Sequence, residues 1–67
     1  MNKEQMTPMM VAIVNGETVT IGTIAEIYRY SEGGIVARLI SSGLTNPEFA
    51  LRLTGLRLAL AWINANR

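Results

Sequence analysis

Two β-prone runs flank a turn signal in the first third of the chain and apolar residues recur at helical spacing in the rest, so the pattern predicts strands first and helices after. Val11-Ala12-Ile13-Val14 and Glu17-Thr18-Val19-Thr20-Ile21 are β-prone runs on either side of Asn15-Gly16. Asn-Gly favours a two-residue type I′ turn because both residues tolerate positive φ. That turn sets Val14 opposite Glu17, Ala12 opposite Val19 and Met10 opposite Ile21. One side of the ribbon is then Met10, Ala12, Val14, Val19 and Ile21. An isolated hairpin is marginal in water and must pack on other elements.

After the ribbon the apolar spacing changes. Thr23 and Glu26 fit a capping box that opens a short helix, with Ile24, Ile27 and Tyr28 on one face. Ser31-Glu32-Gly33-Gly34 ends it, since two consecutive glycines cost about 2 kcal/mol against alanine in a helix. A second helix over 34–42 buries Ile35, Val36, Leu39 and Ile40, with Gly43 as a left-handed cap and Leu44 as its apolar contact. Thr45-Asn46-Pro47-Glu48 carries the signals of a third helix start: a capping residue, a first-turn proline and a glutamate at the positive end. The predicted fold is therefore α+β. An N-terminal β-hairpin is followed by two short helices and one long C-terminal helix (ββααα). Met1–Pro8 is expected to be a flexible leader, closed by its proline, and 9–67 a single small domain.

The third helix, Pro47 to Asn64, carries two apolar stripes. Phe49, Leu53, Leu56, Leu60 and Ile63 form one; Leu51, Leu58 and Trp62, with Gly55 between them, lie on nearly the opposite side. A helix apolar almost all round must be buried almost all round. A chain of 67 residues has little left to cover it, which predicts a homodimer or larger homo-oligomer. Leu51, Gly55, Leu58 and Trp62 are the expected interface: Trp62 as an anchor and Gly55 permitting close approach. The alternative reverses the roles of the two stripes. Met6, Met9 and Met10 add an adaptable apolar patch near the N-terminus.

Composition narrows the chemistry. Chains this small are usually stabilised by disulfides, a metal or association. There is no Cys and no His, so disulfides and ordinary structural zinc are out and association remains. The net charge of +1 gives little attraction to nucleic acid or anionic membrane. Arg52 and Arg57 interrupt the one candidate membrane span, well short of roughly 20 apolar residues. Met1–Met10 lacks the apolar core of a signal peptide. The expectation is a soluble, cytoplasmic protein.

Catalysis finds no support. A hydroxyl nucleophile would need Lys3 or a carboxylate as its base, and Glu17, Glu26, Glu32 and Glu48 fall at turns, caps and breaks. No cofactor is implied. The Gly33-Gly34 pair with Arg29 or Arg38 nearby is the best candidate for a small anionic ligand, Tyr28 and Tyr30 being placed to stack on a base. Helix, turn, helix over Thr23–Leu39 gives an alternative, a compact dimeric helix-turn-helix DNA-binding regulator. Arg29 and Arg38 stand there where small and apolar residues are usual, and phosphate contacts are few. Asn46-Pro47-Glu48-Phe49 followed by Trp62 resembles the last helix of small phage proteins that sequester cyclic nucleotides. The likeness covers about a quarter of the chain, excludes the hairpin, and assigns no residue a role. The function expected is that of a non-enzymatic oligomeric binding module, occupying a partner protein's surface or sequestering a ligand.

Overall fold

The computed structural model describes residues 2–30 and 33–67. Its elements run α1 (Lys3–Val14), β1 (Val19–Ile21), β2 (Ala25–Tyr30), β3 (Gly34–Leu39), β4 (Phe49–Ala50) and α2 (Leu53–Asn66). The four strands form one antiparallel sheet in chain order, β1-β2-β3-β4. The fold is α+β, with two helices where three were expected and four strands where two were expected.

The N-terminal segment is helical. Asn2 caps α1: its Oδ1 accepts from the Gln5 N–H at 2.9 Å, and the Gln5 Oε1 accepts from the Asn2 N–H at 3.2 Å. That reciprocal pair satisfies two otherwise orphaned groups. Met6, Met9, Met10 and Ile13 then recur at helical spacing, and Met6 (1% exposed) and Ile13 (0%) enter the core. Met10–Val14 is thus the last part of a helix rather than a first strand. Asn15-Gly16 does turn the chain, but as a helix cap. The Gly16 N–H donates to the Ile13 carbonyl at 3.0 Å and the Glu17 N–H to the Ala12 carbonyl at 2.9 Å. This is a Schellman arrangement, and Gly16 takes the φ of 87° it requires. The positive φ that favours a hairpin turn served a helix end instead.

A hairpin exists one step later. Val19–Ile21 pairs with Ala25–Ile27 across a tight turn, in which the Ile24 N–H donates to the Ile21 carbonyl at 3.0 Å. The two short helices expected over Thr23–Tyr30 and 34–42 are mainly strands β2 and β3, joined in register from Ala25↔Leu39 to Tyr30↔Gly34. Each side chain next to the helix-like spacing has an equally good reading at period two: Ala25, Ile27, Ile35, Ala37 and Leu39 all lie buried on one face. Gly43, with φ of 73°, closes the loop after β3, and the Leu39 N–H donates to the Leu44 carbonyl at 2.8 Å.

Thr45-Asn46-Pro47-Glu48 does not open a helix. It continues from this loop as extended chain: Thr45 bridges Arg38, and the Asn46 N–H donates to the Ala37 carbonyl at 3.1 Å. Pro47 accounts for this, because a following proline drives the preceding residue out of the helical region. Phe49 then pairs with Ile35 in β4, and the final helix starts six positions after Pro47, at Leu53. Its buried stripe is Leu56, Ala59 and Ile63, with Gly55 beside Leu56 and with Leu53, Leu60 and Trp62 half-buried at the margins.

Both helices pack on the same face of the sheet, α1 against β1 and β2 and α2 against β3 and β4, and they touch each other. The core lies between these two layers. Among the described residues no helix covers the other face, and no helix is long and apolar enough to cross a membrane.

Candidate binding face

The face that the helices leave open is set by strand alternation. Burying Ala25, Ile27, Ile35 and Ala37 inward sends Thr20, Glu26, Tyr28, Tyr30, Gly34, Val36 and Arg38 outward. Cross-strand register then places Tyr28 opposite Val36, Tyr30 opposite Gly34, and Glu26 opposite Arg38. Glu26 and Arg38 make an ion pair at 3.4 Å with both side chains partly exposed, a pair of small worth in water.

Beside them is a cavity of about 320 Å³ lined by Tyr28, Tyr30, Val36, Thr45, Asn46 and Glu48. Its volume is at the lower end of small-molecule sites, roughly 300–1,000 Å³. Tyr30 is 52% exposed and Tyr28 half-buried, whereas Val36 at the floor is almost covered. The Glu48 side chain lies over Gly34, in the space that a β-carbon there would take. Only glycine leaves that carboxylate room to lie against the sheet.

Asn46 is the most constrained group at the cavity. It is 6% exposed, a buried polar side chain in an otherwise apolar interior. Its Oδ1 accepts from the Ala37 N–H at 2.8 Å while its own N–H donates to the Ala37 carbonyl. The side chain therefore supplies a sheet hydrogen bond that the irregular chain before Pro47 cannot. With Oδ1 committed, the amide orientation is fixed. Nδ2 is left buried with no hydrogen-bond partner among the described residues.

The residues expected to contact a ligand are divided by this geometry. Tyr28, Tyr30, Gly34 and Arg38 share the open face. Arg29 belongs to the opposite side of β2, where its Nη1 donates to the Val14 carbonyl at 3.1 Å. A cation at a helix C-terminus is a favourable placement. Gly33 sits in the turn before β3, and Gly34 pairs in a strand rather than preceding a helix. The anion cradle expected of a glycine pair at a helix N-terminus therefore does not form there. Ser31 and Glu32 lie outside the described residues. The helix-turn-helix unit over Thr23–Leu39 is replaced by β2 and β3.

Asn46, Thr45 and Glu48 were read as helix-start residues, and their place at a cavity had one sequence signal, the extended preference of the residue before Pro47. Val36 was read as helical core and instead floors the cavity. Among the described residues, no cluster of three or more His, Cys, Asp or Glu side chains could hold a metal ion.

The residues expected at an oligomer interface are likewise spread. Leu51 and Trp62 are half-buried against the core, and Leu58 is 54% exposed. Gly55 is buried beneath the Ala50 carbonyl of the same chain, so its close approach is to β4. A second, apolar groove lies between the helices, lined by Thr7, Met10, Val11, Val14, Asn15 and Leu53. Comparison with protein-family models, with curated proteins and with solved structures finds no match.

Proposed function

We propose that this chain is a small non-enzymatic binding module that uses the uncovered face of its sheet to sequester a ligand or to occupy a partner's surface. The observation that carries the reading is the asymmetry of the sheet. One face holds both helices, while the other presents Tyr28 and Tyr30 beside a cavity. Tyrosine offers large contact area at low conformational cost and is enriched at recognition surfaces. Among the described residues the ion pair on this face, Glu26–Arg38, is internally balanced, which favours a partner recognised by shape and hydrogen bonding over one recognised by charge. DNA fits this face poorly for the same reason. Self-association through Leu58 and Trp62 remains part of the proposal and engages a different surface.

The test is retention of small molecules and proteins from an extract of the source cells on the immobilised chain. A Tyr28→Ala/Tyr30→Ala variant, folded by circular dichroism, is expected to lose a species that wild type and Leu58→Ala both retain. Identical retention by all three chains would remove the face as the binding surface.

A further inference from the structure

We propose that Asn15-Gly16 is a site of self-modification, at which the Asn15 side chain deamidates under the control of the α1 C-cap. Asparagine is among the chemically labile residues, and its lability depends on the residue that follows it. The Gly16 nitrogen attacks Asn15 Cγ. A C–N bond forms, the side-chain amide leaves as ammonia, and a cyclic succinimide remains. Water then opens the ring. Cleavage at the side-chain carbonyl gives aspartate at position 15, and cleavage at the main-chain carbonyl gives isoaspartate. The balance is amide plus water to carboxylic acid plus ammonia, with no oxidant or reductant required.

The fold singles out this asparagine. Asn15 and Gly16 are both exposed at the end of α1. Nothing lies within 4 Å of where a β-carbon on Gly16 would stand, so that side of the attacking nitrogen is open. The other asparagines are placed worse. Asn46 is buried and precedes Pro47, whose nitrogen has no proton to lose. Asn2 Oδ1 is held by the Gln5 N–H, Asn66 Nδ2 by the Trp62 carbonyl, and Asn64 lies within α2.

The cap restrains the reaction. At the Asn15 ψ of 3° the Gly16 nitrogen eclipses the Asn15 nitrogen rather than Cβ, so the ring cannot close. The same Gly16 N–H is engaged by the Ile13 carbonyl at 3.0 Å, and the Glu17 N–H by the Ala12 carbonyl at 2.9 Å. Attack therefore waits for the last turn of α1 to open, and helix ends are among the first segments to do so. The product cannot rebuild the cap. A carboxylate at the negative end of a helix is disfavoured, and isoaspartate adds a main-chain methylene between the Ile13 carbonyl and the Gly16 N–H. Val14 and Asn15 line the apolar groove between the helices, so the modification loosens one wall of it.

The experiment is incubation of the whole chain at mildly alkaline pH, native and unfolded in urea, followed by intact mass and peptide mapping. Acid is expected at position 15 ahead of Asn2, Asn64 and Asn66. The native chain is expected to react more slowly than the unfolded one by roughly tenfold or more, an opening cost of about 1.4 kcal/mol or greater. Its rate is nevertheless expected to exceed what the global unfolding equilibrium, measured in urea, allows. Asn15→Gln, which must close a larger ring, is expected to stay unmodified at that position over the same interval. Earlier reaction at another asparagine overturns the proposal. Equal native and unfolded rates remove the cap as the gate, and a native rate no faster than global unfolding permits assigns the reaction to the unfolded chain; either result also overturns it. Asn15→Asp carries the product's charge on an unaltered main chain and is expected to lower the unfolding midpoint below that of Asn15→Gln. Equal midpoints count against the stated effect on the cap.

Discussion

The backbone carbonyl of Ala50 occupies the space that a β-carbon on Gly55 would need. The turn that brings them together is tight. The Arg52 N–H donates to that same Ala50 oxygen at 2.8 Å, and α2 begins one residue later. Exchanging glycine for alanine inside a helix ordinarily gains about 1 kcal/mol, so the sign of the change tests the contact. Gly55→Ala is expected to destabilise the fold by about 1–3 kcal/mol through overpacking against backbone, read as a lower midpoint in thermal or urea unfolding. A stabilised variant would show that β4 and α2 do not meet this closely.

Asn46 joins the core of the sheet to the candidate site, and stability measurements can separate its two roles. Asn46→Ala leaves the buried Ala37 N–H without its acceptor, at a cost of about 1–3 kcal/mol. Removing the unpartnered Nδ2 offsets part of this, and a net loss of about 1 kcal/mol is expected from the same principle. A ligand bound to the native state raises the midpoint of wild type by mass action. If Asn46 belongs to the binding site, the same ligand is expected to raise the Asn46→Ala midpoint by less. Equal stabilisation of both chains would exclude Asn46 from the binding site.

Pro8 stands inside α1, in its second turn, and is exposed. Its ring removes the N–H that would bond to the Glu4 carbonyl and crowds that carbonyl, a defect worth up to ~3 kcal/mol in a helix interior. Little packing is lost on replacing an exposed ring. Pro8→Ala is therefore expected to raise the unfolding midpoint and to sharpen α1, measured by thermal denaturation and slower amide exchange from Met9 to Val14. A lower midpoint would mean that the proline's restriction of the unfolded chain outweighs the helix defect.

Pro8 also explains much of what the sequence concealed. Taken as a breaker, it divided α1 into a leader and half a hairpin, although Asn2 and Gln5 form a capping box and Met6, Met9, Met10 and Ile13 have helical spacing. Asn15-Gly16 misled in a related way, since hairpin turns and helix caps draw on the same positive φ. For 25–39, Ile27, Ile35, Ala37 and Leu39 satisfy short windows of either period, and only pairing between β2 and β3 decides between them. The mixed α+β class, the chain reversals at Asn15-Gly16 and Gly43, and most of α2 were legible because they rest on local chemistry. Of the site, Tyr28, Tyr30 and Arg38 were legible as candidates. Asn46 was not, because its buried partner is nine residues away and its spare donor exists only once that bond is made.

The two-sided apolar character of the segment from Leu51 through α2 is only partly absorbed within the chain. Leu51 and Trp62 rest against the core, Gly55 lies under Ala50, and Leu58 stays 54% exposed. Scattered exposed leucines are ordinary on protein surfaces, so the exposure of Leu58 alone does not fix an oligomeric state. A charge at that position discriminates: it disturbs little in a monomer and places an uncompensated charge in an apolar interface. Under the proposed self-association, Leu58→Glu is expected to convert the wild-type oligomer to monomer in light-scattering measurements, with its helical and strand signals intact. Trp62→Ala weakens both assembly and folding, because its ring also packs on the core and truncation of a half-buried aromatic costs at most about 3–5 kcal/mol, the range for a fully buried one. A monomeric wild type would end the oligomer proposal. It would leave Leu58 as one exposed leucine and confine the search for function to the tyrosine face.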